Sequence, residues 1–202
     1  MSEKKTLSAE DWAHAALEAI ARDGVNAVAV EPLARSLGVT KGSFYWHFAN
    51  REALLEAALQ LWEKQETDDV IKRIGDEPDP MRRIQRVFYK VDASTRTSRQ
   101  YMALAAAAAY DPLIRDVVTR VSERRLEFIT NCYIDLGLSP DDAKRWGASA
   151  YSVYLGVLQL RWDLPHALPD EPDSEAYQAY MQQFTRILLP DVVNAKRQAN
   201  VA

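Results

Sequence analysis

Residues 40–51 gather hydrogen-bonding, aromatic and basic side chains in one short stretch: Thr40, Lys41, Gly42, Ser43, Tyr45, Trp46, His47 and Arg51. No member of this set is a primed nucleophile or a metal ligand. Their shared chemistry is recognition of a phosphodiester surface. Lys41 and Arg51 supply cations, while Thr40, Ser43, Tyr45 and His47 supply neutral hydrogen-bonding groups. Gly42 has no side chain and lets a helix start press against a phosphate backbone. Tyr45 and His47 suit phosphates better than bases, so they would position a duplex without reading it, whereas Lys41 suits either role. The bland alternative is a solvated helix face, but such faces seldom carry Tyr and Trp side by side.

These side chains need elements to hold them, and the flanking sequence predicts two short helices joined by a tight turn. Leu33, Ala34 and Leu37 form the inner face of the first helix. Gly38 ends it, because a residue without Cβ takes the left-handed conformation freely. Val39 plugs the turn, and Thr40 is placed to cap the second helix through its hydroxyl. Phe44 and Phe48, four residues apart, share the buried face of that second helix. The start of the second helix also offers free N–H groups that suit a phosphate. Together these elements predict a helix-turn-helix that sets its second helix into the major groove of DNA.

Charge follows the same plan. The chain has a formal net charge of −4, yet Pro32 through Arg51 contains no Asp or Glu and includes Arg35, Lys41 and Arg51. A local basic face is what DNA binding requires, whatever the sign of the whole protein.

The segment from about Ser8 to Leu61 resembles the DNA-binding domain of the TetR/AcrR family of transcriptional regulators. The resemblance is carried by Ala15-Ala16-Leu17 with Ile20 and Gly24, then Leu33-Ala34. It continues through the run from Gly38 to Phe48 and ends on Arg51-Glu52-Ala53-Leu54-Leu55. Two positions depart from the family pattern. Ala29 stands where Ser or Thr usually caps the second helix, and Pro32 lies in that helix's first turn, where Pro is tolerated. The resemblance covers the first third of the chain. It implies a regulator that binds palindromic operator DNA as a homodimer, joined through its last two long helices, and it implies a small-molecule effector in the second domain.

The remainder reads as helices with clear punctuation and no strand alternation. Ser8 and Asp11 form a capping-box pattern ahead of a helix that ends at Gly24, with Trp12, Ala16, Leu17 and Ile20 inward. A fourth helix opens after Asn50 and is expected to run to about Lys72. Asp79-Pro80, Asp111-Pro112 and Ser139-Pro140 each set a capping side chain beside a first-turn Pro, and each opens a helix. Another helix spans about 98–110, and a last one runs from about Ser174 to Leu189, stopped by Pro190. The expected fold is all-α: an N-terminal three-helix helix-turn-helix domain over residues 1–52 and a C-terminal helical ligand-binding and dimerisation domain over 53–202. The fourth helix belongs to both parts. That makes it a lever between an effector and the reading helix.

The length of 202 residues and the 48% hydrophobic content suffice for such a core. No apolar run is long enough for a membrane span, the first residues lack the apolar core of a signal peptide, and the single Cys132 suits a reducing cytoplasm. Lys4 and Lys5 read as a tail. His14, His47 and His166 are far apart, and no glycine-rich phosphate loop or nucleophile elbow is present. Neither an enzyme nor a cofactor is therefore expected.

In the second domain Trp62, Phe88, Tyr101, Tyr110, Phe128, Trp146 and Tyr151 are the candidate lining of an apolar or aromatic effector pocket, each weighed against simple core burial. Tyr154, Val157, Leu158 and Arg161, with Tyr177, Tyr180, Met181 and Phe184, are the candidate dimer seam. Three readings follow: a ligand-released repressor, a DNA-binding protein controlled by a protein partner, and a helical module that does not use DNA.

Overall fold

Serine, aspartate and asparagine start the helices much as the sequence predicts. In the computed structural model, which describes residues 7–92, 95–169, 171 and 174–189, the side chains of 89–96 are not described. Lys4, Lys5 and Pro190, and the side chain of Val91, therefore lie outside the described residues. The helices are α1 (Ala9–Asp23), α2 (Val30–Ser36), α3 (Lys41–Tyr45), α4 (Arg51–Glu63), α5 (Asp69–Gly75), α6 (Pro80–Asp92), α7 (Thr95–Ala107), α8 (Pro112–Asp135), α9 (Pro140–Asp163) and α10 (Glu175–Ile187). No strand occurs among the described residues.

The caps are real hydrogen bonds. Ser8 and Asp11 form a reciprocal capping box: Asp11 N–H donates to Ser8 Oγ at 3.2 Å and Ser8 N–H to Asp11 Oδ2 at 2.8 Å. Asn50 Oδ1 accepts from Ala53 N–H at 2.8 Å, and Asp79 Oδ1 accepts from Met81 N–H at 2.9 Å. Gly38 has φ +69° and closes α2 in a Schellman motif, with Val39 N–H bonded to Ala34 O and Gly38 N–H to Arg35 O. Thr40 corrects one expectation. It occupies the N-cap of α3 with extended backbone, but its hydroxyl makes no capping bond; instead Ser43 N–H bonds the Thr40 carbonyl at 3.0 Å.

The fourth helix reaches past Lys72 as expected, with one local feature: after α4 the backbone widens into a π-turn over Lys64–Asp68 and continues as α5. Thr67, inside the wide turn, is fully buried. A surface bond from Lys64 Nζ to Asp69 Oδ2 at 2.7 Å spans the widened segment.

Contacts divide the chain into two units: the described residues up to Val70 with Arg99–Val121, and Ile71–Ser98 with the described residues from Ser122 onward. This grouping differs from a boundary after residue 52, because all of α4 belongs to the first unit. The first unit packs α1 against α4 and α2, and α2 against α3. Trp12, Ala16, Ile20, Phe44, Leu54, Leu59 and Trp62 are fully buried there. The Trp12 and Phe44 rings meet edge to face at 5.4 Å, and the Trp12 indole N–H is buried without a hydrogen-bond partner.

In the second unit α6 packs on α9, and Phe88 meets Phe184 of α10 at 5.0 Å and Tyr154 of α9 at 6.4 Å. Tyr133 of α8 donates to Leu188 O at 2.8 Å, and Arg83 of α6 pairs with Asp135 of α8 at 2.7 Å. Helices α8 and α9 cross closely. A Cβ on Gly147 would strike Thr130 Oγ1 and lie 3.1 Å from the Thr130 Cα, whereas a Cβ on Gly156 would meet nothing within 4 Å. Gly147→Ala should therefore lower the melting temperature by an amount matching about 1–3 kcal/mol, as overpacking does. Gly156→Ala meets no such clash within the chain.

Cys132 is buried, and that burial pushes its thiol up to about 11 from an ordinary value of 9.0. Between those two values an unfolded thiol ionises while the folded one does not, so rising pH favours the unfolded chain. Iodoacetamide at pH 8 should leave native Cys132 unmodified and alkylate it readily in urea; equal rates would contradict the burial.

Candidate nucleic-acid interface

Helix α3 has only five residues, too few to hold itself by backbone hydrogen bonds or to carry much of a macrodipole. Its N-terminus alone therefore does not make a phosphate site. Its position comes from two aromatic anchors. Phe44 is fully buried and Phe48 nearly so, with ring centroids 5.6 Å apart, as their four-residue spacing predicts. The chain turns after Tyr45, with His47 N–H and Phe48 N–H both reaching Phe44 O at 2.9 and 3.0 Å.

With Phe44 and Phe48 inward, the candidates point out. Thr40, Lys41, Gly42, Tyr45, Trp46 and His47 are exposed, and Ser43 is half-buried. Tyr45 is 57% exposed and Trp46 87%. Water is a poor solvent for two adjacent aromatic rings. Exposed apolar surface of this kind is unfavourable for the isolated chain. Gly42 is not in the left-handed region, and a Cβ there would meet only Thr40 Oγ1 at an ordinary 3.6 Å. The fold itself therefore does not need glycine at this position.

Two cations differ from the sequence expectation. Lys41 Nζ donates to Glu31 Oε1 at 2.9 Å, joining the first turn of α2 to the first residue of α3. That hydrogen bond and the opposite charge hold the Lys41 ammonium above its ordinary pKa and the Glu31 carboxyl below its own. Sequence reasoning missed Glu31 because it stands one residue before the acid-free run. Arg51 is half-buried and turned inward: its Nε donates to Val28 O at 2.6 Å and one terminal nitrogen to Val25 O at 3.1 Å. These bonds lash the start of α4 to the 3₁₀ turn Val25–Ala27. Arg51 is thus a brace as well as a cation.

The seven candidate effector residues are divided between the two units. Trp62 and Tyr101 are buried in the first unit with ring centroids 6.4 Å apart. Tyr110 is 90% exposed, beside the Asp111-Pro112 helix start, and is corrected from pocket lining to surface. In the second unit Phe88 is buried, Tyr151 stacks on Tyr154 at 5.6 Å, Trp146 lies half-buried 6.0 Å from Tyr133, and Phe128 is half-buried. A small apolar cavity of about 10 Å³ lies among Met81, Ile84, Phe88, Met181, Phe184 and Leu188, room for about one water. A larger open groove, about 500 Å³, runs in the first unit past Asp11, His14, Glu18, Arg22, Pro32 and Leu37, and holds none of the seven.

The candidate dimer seam is likewise corrected. Tyr154, Val157, Leu158, Arg161, Tyr177, Met181 and Phe184 are buried within the single chain, and Tyr180 is half-buried. Arg125 donates to the Tyr154 hydroxyl at 3.1 Å, and Arg161 is turned onto the carbonyls of Leu168 and Pro169. Exposed instead are Ser152, Gly156, Gln159 and Leu160 of α9 and Ala176, Ala179, Gln183 and Ile187 of α10. Helical periodicity alone shows which residues share a face. It does not show whether that face meets the same chain or a second one.

Comparison with known proteins agrees with this architecture. Residues 13–75 match the model of bacterial regulatory proteins, tetR family. HTH-type transcriptional regulator TtgR of Pseudomonas putida is 28% identical over 189 residues, covering 89% of this chain and 80% of that protein. A transcriptional regulator from Saccharomonospora viridis in complex with choline shares the fold with a TM-score of 0.71 and 17% identity, over 88% of this chain and 93% of that one. FadR from Bacillus subtilis in complex with stearoyl-CoA does so with a TM-score of 0.65 and 14% identity, over 90% and 97%. Residues 13–75 thus match the tetR-family domain, and the chain as a whole is similar to transcriptional regulators of the helix-turn-helix type. Among the described residues no helix is long and apolar enough to cross a membrane.

The two roles of Arg51 are separable. Arg51→Lys keeps the charge but loses the two-nitrogen grip on Val25 and Val28. It should lower the melting temperature by the equivalent of about 1–2 kcal/mol. An unchanged melting temperature would show that the brace contributes nothing to stability.

Proposed function

We propose that this regulator is a repressor that binds palindromic operator DNA as a homodimer and leaves it when a small apolar or aromatic effector binds. In this reading residues 1–52 grip the DNA, residues 53–202 bind effector and partner subunit, and the protein works in the cytoplasm. Thr40, Lys41, Gly42, Ser43, Tyr45, Trp46, His47 and Arg51 form the DNA face. The observation that carries this is the outward surface around α3. It bears two exposed aromatic rings, a lysine and a glycine without internal cause, in a stretch free of carboxylates from Pro32 through Arg51. Such a face suits a polyanion whose groove edges present hydrogen-bonding groups and thymine methyls.

A homodimer supplies the second reading helix for the other half-site, one helical turn or a little more away. The exposed small residues Ser152, Gly156, Ala176 and Ala179 leave two helix pairs free to approach closely. For the effector, the support is the burial of Trp62, Phe88, Tyr101 and Tyr151 and the choline and stearoyl-CoA held by structural neighbours. The second reading is control by a protein partner. An effector at the small cavity beside Phe88 would have to open its own space, and that cost comes out of its affinity.

The experiment is selection of bound duplexes from a random pool, followed by gel shift. A palindrome should emerge. Gly42→Ala should keep or slightly raise thermal stability, since Ala favours helix by about 0.5–1 kcal/mol, yet weaken operator binding about tenfold or more. Tyr45→Ala should do the same without unfolding the chain. Wild-type affinity in both variants at matched salt would overturn the assignment of this face.

A further inference from the structure

The ion pair between Glu31 and Lys41 stands on the face that the proposed function gives to DNA, and it has a consequence for the strength of binding. Lys41 is the first residue of α3, and Glu31 lies in the first turn of α2. Their side chains meet at 2.9 Å while remaining 51% and 67% exposed, so the pair is open to solvent and to any ligand that approaches α3. Glu31 is the last carboxylate before the acid-free run, and Arg35 lies one turn further along the same helix. An exposed pair like this adds little to stability. What it does do is occupy the lysine of the reading helix with an anion of the protein's own.

We propose that Glu31 is an intramolecular competitor for the DNA phosphate that Lys41 would otherwise take, so that it attenuates binding to every duplex. This rests on the reading of α3 as the DNA-facing helix. For Lys41 to bond a phosphate, the ammonium must turn from the Glu31 carboxylate or share its donors with it. Either way a carboxylate is left beside a phosphate, with like charges facing each other. The pair also cancels one positive charge per subunit, and so one counterion that the duplex would release on binding. The attenuation is independent of sequence. It bears hardest on non-specific binding, which is almost wholly electrostatic.

The test compares wild type, Glu31→Gln, Lys41→Gln and the double variant. Each is titrated by fluorescence anisotropy against a labelled mixed-sequence duplex and against the duplex recovered by selection, over a range of salt. Glu31→Gln keeps the shape and removes the charge. It should bind the mixed-sequence duplex at least about threefold more tightly at low salt. The plot of log K against log salt should steepen by about one unit for each Lys41 released. In the Lys41→Gln background the gain should shrink, because Glu31 then has nothing to hold. Unchanged affinity in Glu31→Gln at every salt overturns the proposal, and so does a gain equal in both backgrounds, which would make Glu31 a bare charge on the face. Weaker binding also overturns it, and would assign Glu31 a base or an orienting role. Failure of wild type to bind any duplex is a different outcome: it removes the DNA reading itself, and this inference falls with it.

Discussion

The contact between Trp12 of α1 and Phe44 of α3 is the constraint on which the surface proposed for DNA depends. A helix of five residues cannot nucleate or persist alone. Helix α3 exists because Phe44 is pinned edge to face on Trp12 and Phe48 packs behind it, both in a core shared with α4. The Trp12 ring is held in that core by packing, its indole N–H finding no partner among the protein groups. Once Phe44 is fixed, the outward direction of Lys41, Tyr45 and Trp46 follows from helical geometry alone.

Arg51 and the Schellman turn at Gly38 complete the frame from opposite ends. Gly38 sets the angle at which α2 hands the chain to α3, and Arg51 ties the first turn of α4 to the carbonyls that follow α1. One device is a pair of backbone hydrogen bonds and the other a pair from the Arg51 side chain to backbone carbonyls. The reading surface therefore owes its shape to a few directional contacts laid over one aromatic core, and not to the propensities of its short helices.

Much of this was legible in the sequence. The capping box at Ser8, the caps at Asn50, Asp79 and Ser139, the inward stripe of α1 and the split between buried Phe44 and Phe48 and their exposed neighbours are local effects with fixed spacing. The parts that were not legible depend on three-dimensional neighbours. Arg51 and Val28 lie 23 residues apart, and Lys41 and Glu31 ten, so nothing in their local spacing signals a bond. The π-turn at Lys64–Asp68 changes no hydrophobic pattern strongly enough to be read. Tyr154 and Phe184 fall on apolar stripes whether those stripes meet their own chain or another, and only coordinates separate the two cases. Tyr110 was misjudged because an aromatic next to an Asp-Pro helix start carries no label for its side of the chain.

The tryptophans end up in very unequal surroundings, and this gives the protein an optical property of its own. Trp12 and Trp62 are wholly enclosed, Trp146 is half-enclosed and Trp162 is partly open, while Trp46 is almost entirely in water. Indole emission shifts to longer wavelength with solvent exposure, so the red edge of the spectrum belongs mainly to the residue beside Tyr45. The protein thus carries a native reporter at the tip of α3, and what that surface touches is written in the colour of its light without any added label.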